Sequence, residues 1–455
     1  MASLNRLKPL HTDSLMSLLA AHPGLTRLLV AYSGGRDSHV LLHRLASEPD
    51  ISQRYRLQAV HINHGLQAAA NDWAEHCARV CHSLGVEFGC LAIDARPRSG
   101  DSLEAAARTR RYQALAALLD AHSAVLTAHH QGDQAETVLL ALLRGSGPQG
   151  LAAMPMSRAL GQGWLLRPLL HYRSAELSRY ARQHGLVWIE DPSNIDRHHP
   201  RNLLRQQIMP QLQTHWPGLE PTLSRVATHA AEASRLLDEQ AAADLAELQT
   251  ADHSLALQPL QHLSPARQRN VLRHWVHSCG LPPPSTRQLQ QVLSELLPAA
   301  ADRQPCVRWP GAELRRYRQR LYALAPQPRL PREPTPWPDP CQPLRLPNGD
   351  SLRWVPQAGN GLRPSTLTAL CVRYRQGGER FHPHGRRHSQ SLKKLLQEAH
   401  IPPWERQRLP LLYCGKRLAA VPGIGVAHDF AASGKMIGWR LEWHHKYMAR
   451  SNPSG

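Results

Sequence analysis

Residues 28 to 38 read Leu28-Leu29-Val30-Ala31-Tyr32-Ser33-Gly34-Gly35-Arg36-Asp37-Ser38. The apolar run Leu28 to Ala31 predicts a buried strand, and a helix is expected to begin near Ser38. Between them lie two glycines, which permit close backbone approach and positive φ. Such a turn aims several backbone N–H groups at one point, and the helix N-terminus adds a partial positive charge there. An anion, above all a phosphate group, is stabilised in that position. A strand–turn–helix connection without a ligand has the same local sequence, so the rest of the chain must decide.

Working outward, the first 200 or so residues alternate short apolar runs with helical stretches. Candidate strands are 27–31, 57–62, 87–93, 125–128 and 164–167; candidate helices are 38–46, 68–84, 102–121, 134–143 and 174–184. This alternation predicts an α/β domain, a parallel sheet with helices on both faces, with ligands beyond the C-terminal strand ends. The Ser33 turn, His61 to His64 and Thr127 to Asp133 all follow strands and can converge there. Gly145-Ser146-Gly147-Pro148-Gln149-Gly150 fits a dinucleotide fingerprint, but it follows a helix and Pro148 argues against a smooth entry into another. It reads as a helix C-cap and loop. Four parts are expected: a nucleotide-binding domain (1–215), a helical domain (216–325), a proline-rich linker (326–343) and a small, basic α+β domain (344–455). Helices are expected at 221–248, 265–279, 286–297 and 391–399.

Composition narrows the function class. The chain has 455 residues and a formal net charge of +19. From Cys371 onward there are 15 Lys and Arg against 5 Asp and Glu, so that region holds +10 of the excess. A positive balance of this size suits a polyanionic partner, because neutralising phosphates drives nucleic-acid binding. There is no Cys-x-x-Cys among the 8 cysteines. Free thiols in a cytoplasmic protein are therefore expected, with Cys77 and Cys81 buried on one helix face. No apolar run is long enough for a membrane span, and Met1 to His22 lacks the pattern of a signal peptide.

Several further stretches carry chemistry-bearing side chains. His61-Ile62-Asn63-His64-Gly65-Leu66 ends a strand. Glu104, Arg108 and Arg111 are spaced to share one helix face, although a Glu four residues before an Arg is also an ordinary stabilising pair. Thr127-Ala128-His129-His130-Gln131-Gly132-Asp133-Gln134-Ala135-Glu136-Thr137 offers Asp133 either as a helix cap or as a functional carboxylate. Trp188-Ile189-Glu190-Asp191-Pro192-Ser193-Asn194 is an acidic loop, and Arg201-Asn202-Leu203-Leu204-Arg205 a basic helix start.

The loop Ser33 to Ser38 resembles the pyrophosphate loop, Ser-Gly-Gly-x-Asp-Ser, of the ATP pyrophosphatases. Together with the stretches above, in this order and spacing, it resembles the tRNA(Ile)-lysidine synthetase family. The resemblance extends to Arg144 to Pro148 and Arg167 to Leu170. It resumes at Arg375-Gln376-Gly377-Gly378-Glu379-Arg380, Lys393 to Glu398 and Ile401-Pro402-Pro403-Trp404. That family uses ATP to adenylate the wobble cytidine of an isoleucine tRNA with a CAU anticodon. A lysine amine then displaces AMP from carbon 2, which changes the tRNA from methionine to isoleucine identity.

The resemblance implies ATP and Mg²⁺ as cofactors, and the tRNA and free L-lysine as partners; a homodimer stays open. It implies ATP binding at Ser33, Gly34, Gly35, Arg36, Asp37, Ser38 and His61, with Asp37 either holding Mg²⁺ or orienting the loop. Asp133, Glu136, Glu104 and Asp191 are candidates for metal or lysine binding. Arg108, Arg111, Arg201, Asn202 and Arg205 are candidates for phosphate or cytidine contacts. Arg373, Arg375, Arg386, Arg387, Lys393 and Lys394 form a candidate RNA surface.

Two positions depart from the family pattern. Gly132 stands where the first of two aspartates is usual, and Arg36 where an apolar residue is common. An arginine at 36 either reaches a phosphate or points to solvent. Three rival readings remain: a tRNA thiolase, which lacks its Cys-x-x-Cys; a tRNA-binding protein with a disabled site, motivated by Gly132; and a small-molecule synthetase, which leaves the basic region unexplained.

Overall fold

The computed structural model describes residues 10, 12–63, 70–93, 103–190, 200–300, 303–327, 329–331, 333–358, 361–363, 369–432 and 436–444. The chain divides into two units, residues 1–236 and 237–455. Asp191 and the side chain of Glu104 lie outside the described residues.

In the first unit, among the described residues, six strands form one sheet: β1 (Arg27–Ala31), β2 (Arg56–Asn63), β3 (Glu87–Ala92), β4 (Ser123–Leu126), β5 (Ser157–Leu160) and β6 (Gly163–Leu166). Their order is β3-β2-β1-β4-β6-β5. All neighbours pair parallel except β5, which runs antiparallel to β6. Strand β1 shows why the sheet is covered twice. Leu28 and Val30 pack into one core with Val40, Leu41 and Leu126, while Leu29 packs into another with Val60, Leu115 and Val125. With period-two alternation, a run apolar at every position has to bury both faces.

The chain leaves β1 towards β2 and β3, then crosses back to place β4 on the other side of β1. Helices begin after both β1 and β4, at Arg36–Ala46 and Gln131–Leu143. The strand order therefore reverses between β1 and β4, and the crevice at their carboxyl ends is where such sheets bind ligands.

Element boundaries differ from expectation for local reasons. The helix after β1 starts at Arg36, because Gly35 is extended (φ −75°, ψ 160°) and serves as its N-cap. The helix after β4 starts at Gln131, three residues early, because His130 caps it and Asp133 completes a capping box. Asp133 thus occupies the third helical position. Pro148 opens a one-turn helix, Pro148–Leu151, in the first-turn position where a missing N–H costs nothing. Gly145 does lie beyond a helix end, at φ +68°. The edge strand β5 and the helix Thr12–Ala20 add to the elements expected from the sequence.

In the second unit, the helices Pro265–Ser278 and Thr286–Gln291 bury Trp275, Val271 and Leu289. They share that core with a four-stranded sheet made of Leu255–Ala256, Cys306–Trp309, Ala312–Tyr317 and Arg320–Leu324. The middle segment is therefore not purely helical. Alternate residues Ala312, Leu314 and Arg316 of its central strand are buried, a period-two pattern masked in the sequence by its arginines. Within the proline-rich stretch, Thr335–Trp337 pairs with Leu370–Tyr374 and adds an edge to a five-stranded antiparallel sheet. Pro336 is tolerated because an edge strand need not donate on its outer side.

The two halves of this unit meet at Trp404. Its ring lies edge-on to Tyr317 and Tyr322, with the Arg315 guanidinium 5.5 Å from its centroid. Arg406 donates to the Tyr317 hydroxyl at 2.9 Å. Beside them, burial raises the Glu405 carboxyl to about 7, and the charge of Asp252 adds to the effect. A carboxyl raised on folding contributes no penalty while protonated, and destabilises increasingly as pH rises from its unfolded value through 7. Glu405→Gln is expected to raise the melting temperature of the intact protein by a few degrees at pH 8. That gain should shrink towards pH 5, as read by calorimetry across the range.

Candidate active site

The loop after β1 is held from three sides. Gly34 adopts φ +81°, and a Cβ there would sit 2.9 Å from the Ile189 side chain and 3.1 Å from the Cys77 sulfur. Only glycine satisfies both conditions. The Ile189 N–H donates to the Gly34 carbonyl at 3.0 Å, so the Trp188 to Glu190 stretch props the loop. Inside the turn, the Ser38 hydroxyl donates to the Gly35 carbonyl at 2.8 Å and lies 3.1 Å from the Ser33 hydroxyl.

Below the loop, His61 is buried, its Nδ1 3.0 Å from the Tyr32 carbonyl and 3.6 Å from the Cys77 sulfur. Burial lowers its pKa and pushes the Cys77 and Cys81 thiols up to about 12. These side chains support the turn from inside.

Asp37 lies in the first turn of its helix, where the helix dipole favours a carboxylate. Its Oδ1 accepts from Arg36 Nε at 2.8 Å, and its Oδ2 lies 3.5 Å from His130 Nε2. His130 Nε2 also lies 3.6 Å from Asp133 Oδ2. Its Nδ1 accepts the Gly132 N–H at 3.0 Å, so the Nε2 edge faces the two carboxylates. Burial alone would raise the Asp37 pKa; His130, and then Arg36, outweigh it and bring it below its ordinary value.

Next to this triad lies a buried ionic group. Arg201 donates to Glu136 Oε2 at 2.7 Å and Asp133 Oδ1 at 3.1 Å. Arg205 donates to Glu136 Oε1 at 2.6 Å and Asp133 Oδ1 at 2.8 Å. Against the cost of burial, His130, Arg201, His129 and Arg205 together hold Asp133 well below the carboxylate range. Asp37, Asp133, Glu136, Arg201 and Arg205 are thus brought together, and Asn202 follows Arg201 on the one-turn helix Pro200–Leu203.

A second cluster is cationic. The guanidiniums of Arg108, Arg111 and Arg158 lie 5.4, 5.5 and 5.2 Å from the Tyr112 ring centroid. Arg167, 2% exposed, lies beside the same residue. Burial pulls Arg111 below its ordinary pKa, with Arg108 and Arg201 adding repulsion. Burial pushes the neighbouring His129 down to about 3, so it is neutral, its Nδ1 2.8 Å from the Thr127 hydroxyl. Tyr112, Arg158, His129 and His130 are site residues that the sequence alone does not single out. Arg158 sits on the edge strand β5, and a Tyr after two arginines carries no motif of its own.

A family model for the PP-loop domain matches residues 9–212. Models for the TilS substrate binding domain and the TilS substrate C-terminal domain match residues 255–322 and 370–443. A tRNA(Ile)-lysidine synthase of Alkalilimnicola ehrlichii is 47% identical over 415 residues, covering 89% of this chain and 91% of that protein. One of Coxiella burnetii is 41% identical over 436 residues, covering 94% and 96%. The chain belongs to the tRNA(Ile)-lysidine synthase family. A crystal structure of a TilS C-terminal domain, 27% identical, covers 25% of this chain and 98% of its own, with a TM-score of 0.21. The family membership makes this chain a PP-loop ligase.

The structure accounts for both departures from the family pattern. The Arg36 guanidinium is tied within the protein, to Asp37, Ser174 and Ser178. A Cβ at Gly132 would lie 2.8 Å from His130 Cε1 and 3.1 Å from Nδ1, so a side chain there would displace the ring from its place. The glycine lets the His130 ring fold over the helix N-terminus.

In the second unit, the candidate RNA residues separate into two kinds. Arg386, Arg387, Lys393 and Lys394 are exposed. Arg373 packs 4.9 Å over the Tyr413 ring, and Arg375 pairs with Glu379 at 3.3 Å, both half-buried.

Gly132→Ala is expected to displace the His130 ring and cost about 1–3 kcal/mol, the usual penalty of overpacking. Urea denaturation measures this. Wild-type stability in Gly132→Ala would show that the ring position is not constrained by the glycine.

Proposed function

We propose that the protein attaches lysine to carbon 2 of the wobble cytidine in a CAU-anticodon isoleucine tRNA, at the expense of ATP. One observation carries this reading. At the sheet's crevice, an anion-binding loop lies beside buried carboxylates able to hold an ammonium and beside a cluster of arginines able to hold phosphates.

In the first step, the cytidine O2 attacks the α-phosphorus of ATP, and pyrophosphate leaves with the electrons of the broken bond. The loop N–H groups of residues 33–38 hold the leaving pyrophosphate, and the helix beginning at Arg36 adds its dipole. Arg108 and Arg111 supply charge for phosphate or cytidine contacts. In the second step, a lysine amine attacks carbon 2, the carbon–oxygen bond breaks, and AMP leaves. Asp133 and Glu136 hold the lysine's charge; its nucleophilic nitrogen must first lose a proton. The base must leave its stack to reach this crevice.

His130 Nε2 lies 3.5 Å from Asp37 Oδ2 and 3.6 Å from Asp133 Oδ2, so it stands between the two carboxylates. Asp37, in the first turn of its helix, together with substrate phosphates would hold Mg²⁺, which takes few protein ligands. Bound there, Mg²⁺ would neutralise phosphate charge. The exposed Arg386, Arg387, Lys393 and Lys394 are the RNA surface of this reading.

The test is incorporation of radiolabelled lysine into CAU-anticodon isoleucine tRNA, with elongator methionine tRNA as control. Label in the isoleucine tRNA alone is the expected result; tRNA binding without label would overturn the reading. Asp37→Ala should abolish incorporation and leave tRNA affinity nearly intact. Replacing Arg386, Arg387, Lys393 and Lys394 by alanine should weaken tRNA binding. It should also flatten the slope of log K against log salt by roughly 0.7–0.9 for each phosphate no longer neutralised.

A further inference from the structure

Arg36 occupies the variable position of the pyrophosphate loop, and its guanidinium is engaged on every nitrogen. Nε donates to Asp37 Oδ1 at 2.8 Å. Nη1 donates to the Ser178 hydroxyl and Nη2 to the Ser174 hydroxyl, each at 2.8 Å. The two serines stand four residues apart on the helix Ser174–Gln183, so they share one face and match the spread of the two Nη groups.

That helix is a firm anchor. Leu177 and Ala181 are fully buried in the same core as β1, and the Tyr180 hydroxyl lies 3.0 Å from His43 Nδ1 on the helix that carries Asp37. The Ser178 hydroxyl also donates to the Ser174 carbonyl at 2.9 Å, which fixes its own rotamer. The arginine therefore bridges a rigid helix to one oxygen of Asp37. The other oxygen, Oδ2, is left on the crevice side, towards His130.

We propose that Arg36 is a positioning residue of this enzyme: anchored by Ser174 and Ser178, it fixes the Asp37 carboxylate with Oδ2 presented to the reaction site. This rests on the reading of Asp37 as a residue of that site. An apolar side chain at 36 can neither bond Asp37 nor reach the serines, so the clamp belongs to this sequence rather than to the loop motif. A lysine keeps the charge but lacks the planar fork needed to bond Asp37 and both serines at once.

The experiment uses the full-length protein with Arg36→Leu, Arg36→Lys, Ser174→Ala/Ser178→Ala and Asp37→Asn. It reads kcat and the KM for ATP in tRNA-dependent pyrophosphate release, together with the melting temperature. Misplacing a reacting group lowers turnover more than substrate binding. Arg36→Leu should therefore lower kcat roughly ten- to a hundredfold, with the KM for ATP changed less than about threefold. The double serine variant and Arg36→Lys should fall between it and wild type, all assayed well below their melting temperatures.

Wild-type kcat in Arg36→Leu, with Asp37→Asn inactive, would overturn the clamp while leaving the reading of Asp37 in place. A raised KM with unchanged kcat would overturn it in favour of direct ATP contact by Arg36. Wild-type kcat in the double serine variant would remove the anchor and overturn the proposal as stated. Full activity in Asp37→Asn would overturn the underlying reading, and the clamp with it.

Discussion

The site hangs on the buried contact of Asp133 and Glu136 with Arg201 and Arg205. Glu136 and Asp133 side chains are 4% and 12% exposed, so neither carboxylate is screened by bulk water. Both arginines reach both carboxylates, so losing one weakens the compensation of two desolvated charges rather than stripping either bare. The contact joins the helix after β4 to a segment some 65 residues later. From there the dependence runs inward. Asp133 accepts the His130 N–H at 3.0 Å and so caps its own helix. His130 is thereby held with its Nε2 towards Asp37, and Arg36 fixes Asp37 from the opposite side.

The two charged regions of the crevice differ in kind. The carboxylate region is paired: Asp37, Asp133 and Glu136 each face at least one of Arg36, His130, Arg201 and Arg205. The Tyr112 region is not: among the described residues, its arginines converge on a ring rather than on a carboxylate. Like charges gathered at low dielectric repel, and that repulsion is relieved by an anion. The crevice thus sets paired carboxylates beside a cluster of guanidiniums; in the proposed reaction the first would face the amine and the second a phosphate.

Much of this was legible in the sequence because it is written locally. Leu28 to Ala31 of the strand before the loop are all apolar, the glycines mark the turn, and strands alternate with helices at the spacing of a parallel sheet. What was not legible depends on partners far along the chain. Nothing near Arg36 indicates Ser174 and Ser178, 138 and 142 residues away. The sequence leaves Asp133 open as a cap or a functional carboxylate, and it caps while also binding Arg201 and Arg205. The close fit of Gly132 against the His130 ring is set by the ring's orientation, which the sequence does not show. The strands of the middle segment were hidden because Arg315, Arg316 and Arg320 break the expected apolar alternation; Arg316 is nevertheless buried, donating to the Leu297 carbonyl at 2.7 Å.

The same guanidiniums that stabilise the carboxylates also occupy them. In the proposed reaction, an ammonium approaching Asp133 and Glu136 must share them with Arg201 and Arg205 or displace one. The two are not equivalent: the side chain of Arg205 is 44% exposed and that of Arg201 is 22%. Arg205 is closer to water and the less costly to release. A phosphate in the crevice would offer it another partner, so anion binding and ammonium binding would each lower the cost of the other. Such coupling is reciprocal by thermodynamic necessity and requires no movement of the sheet, only the exchange of one guanidinium between a carboxylate and a phosphate.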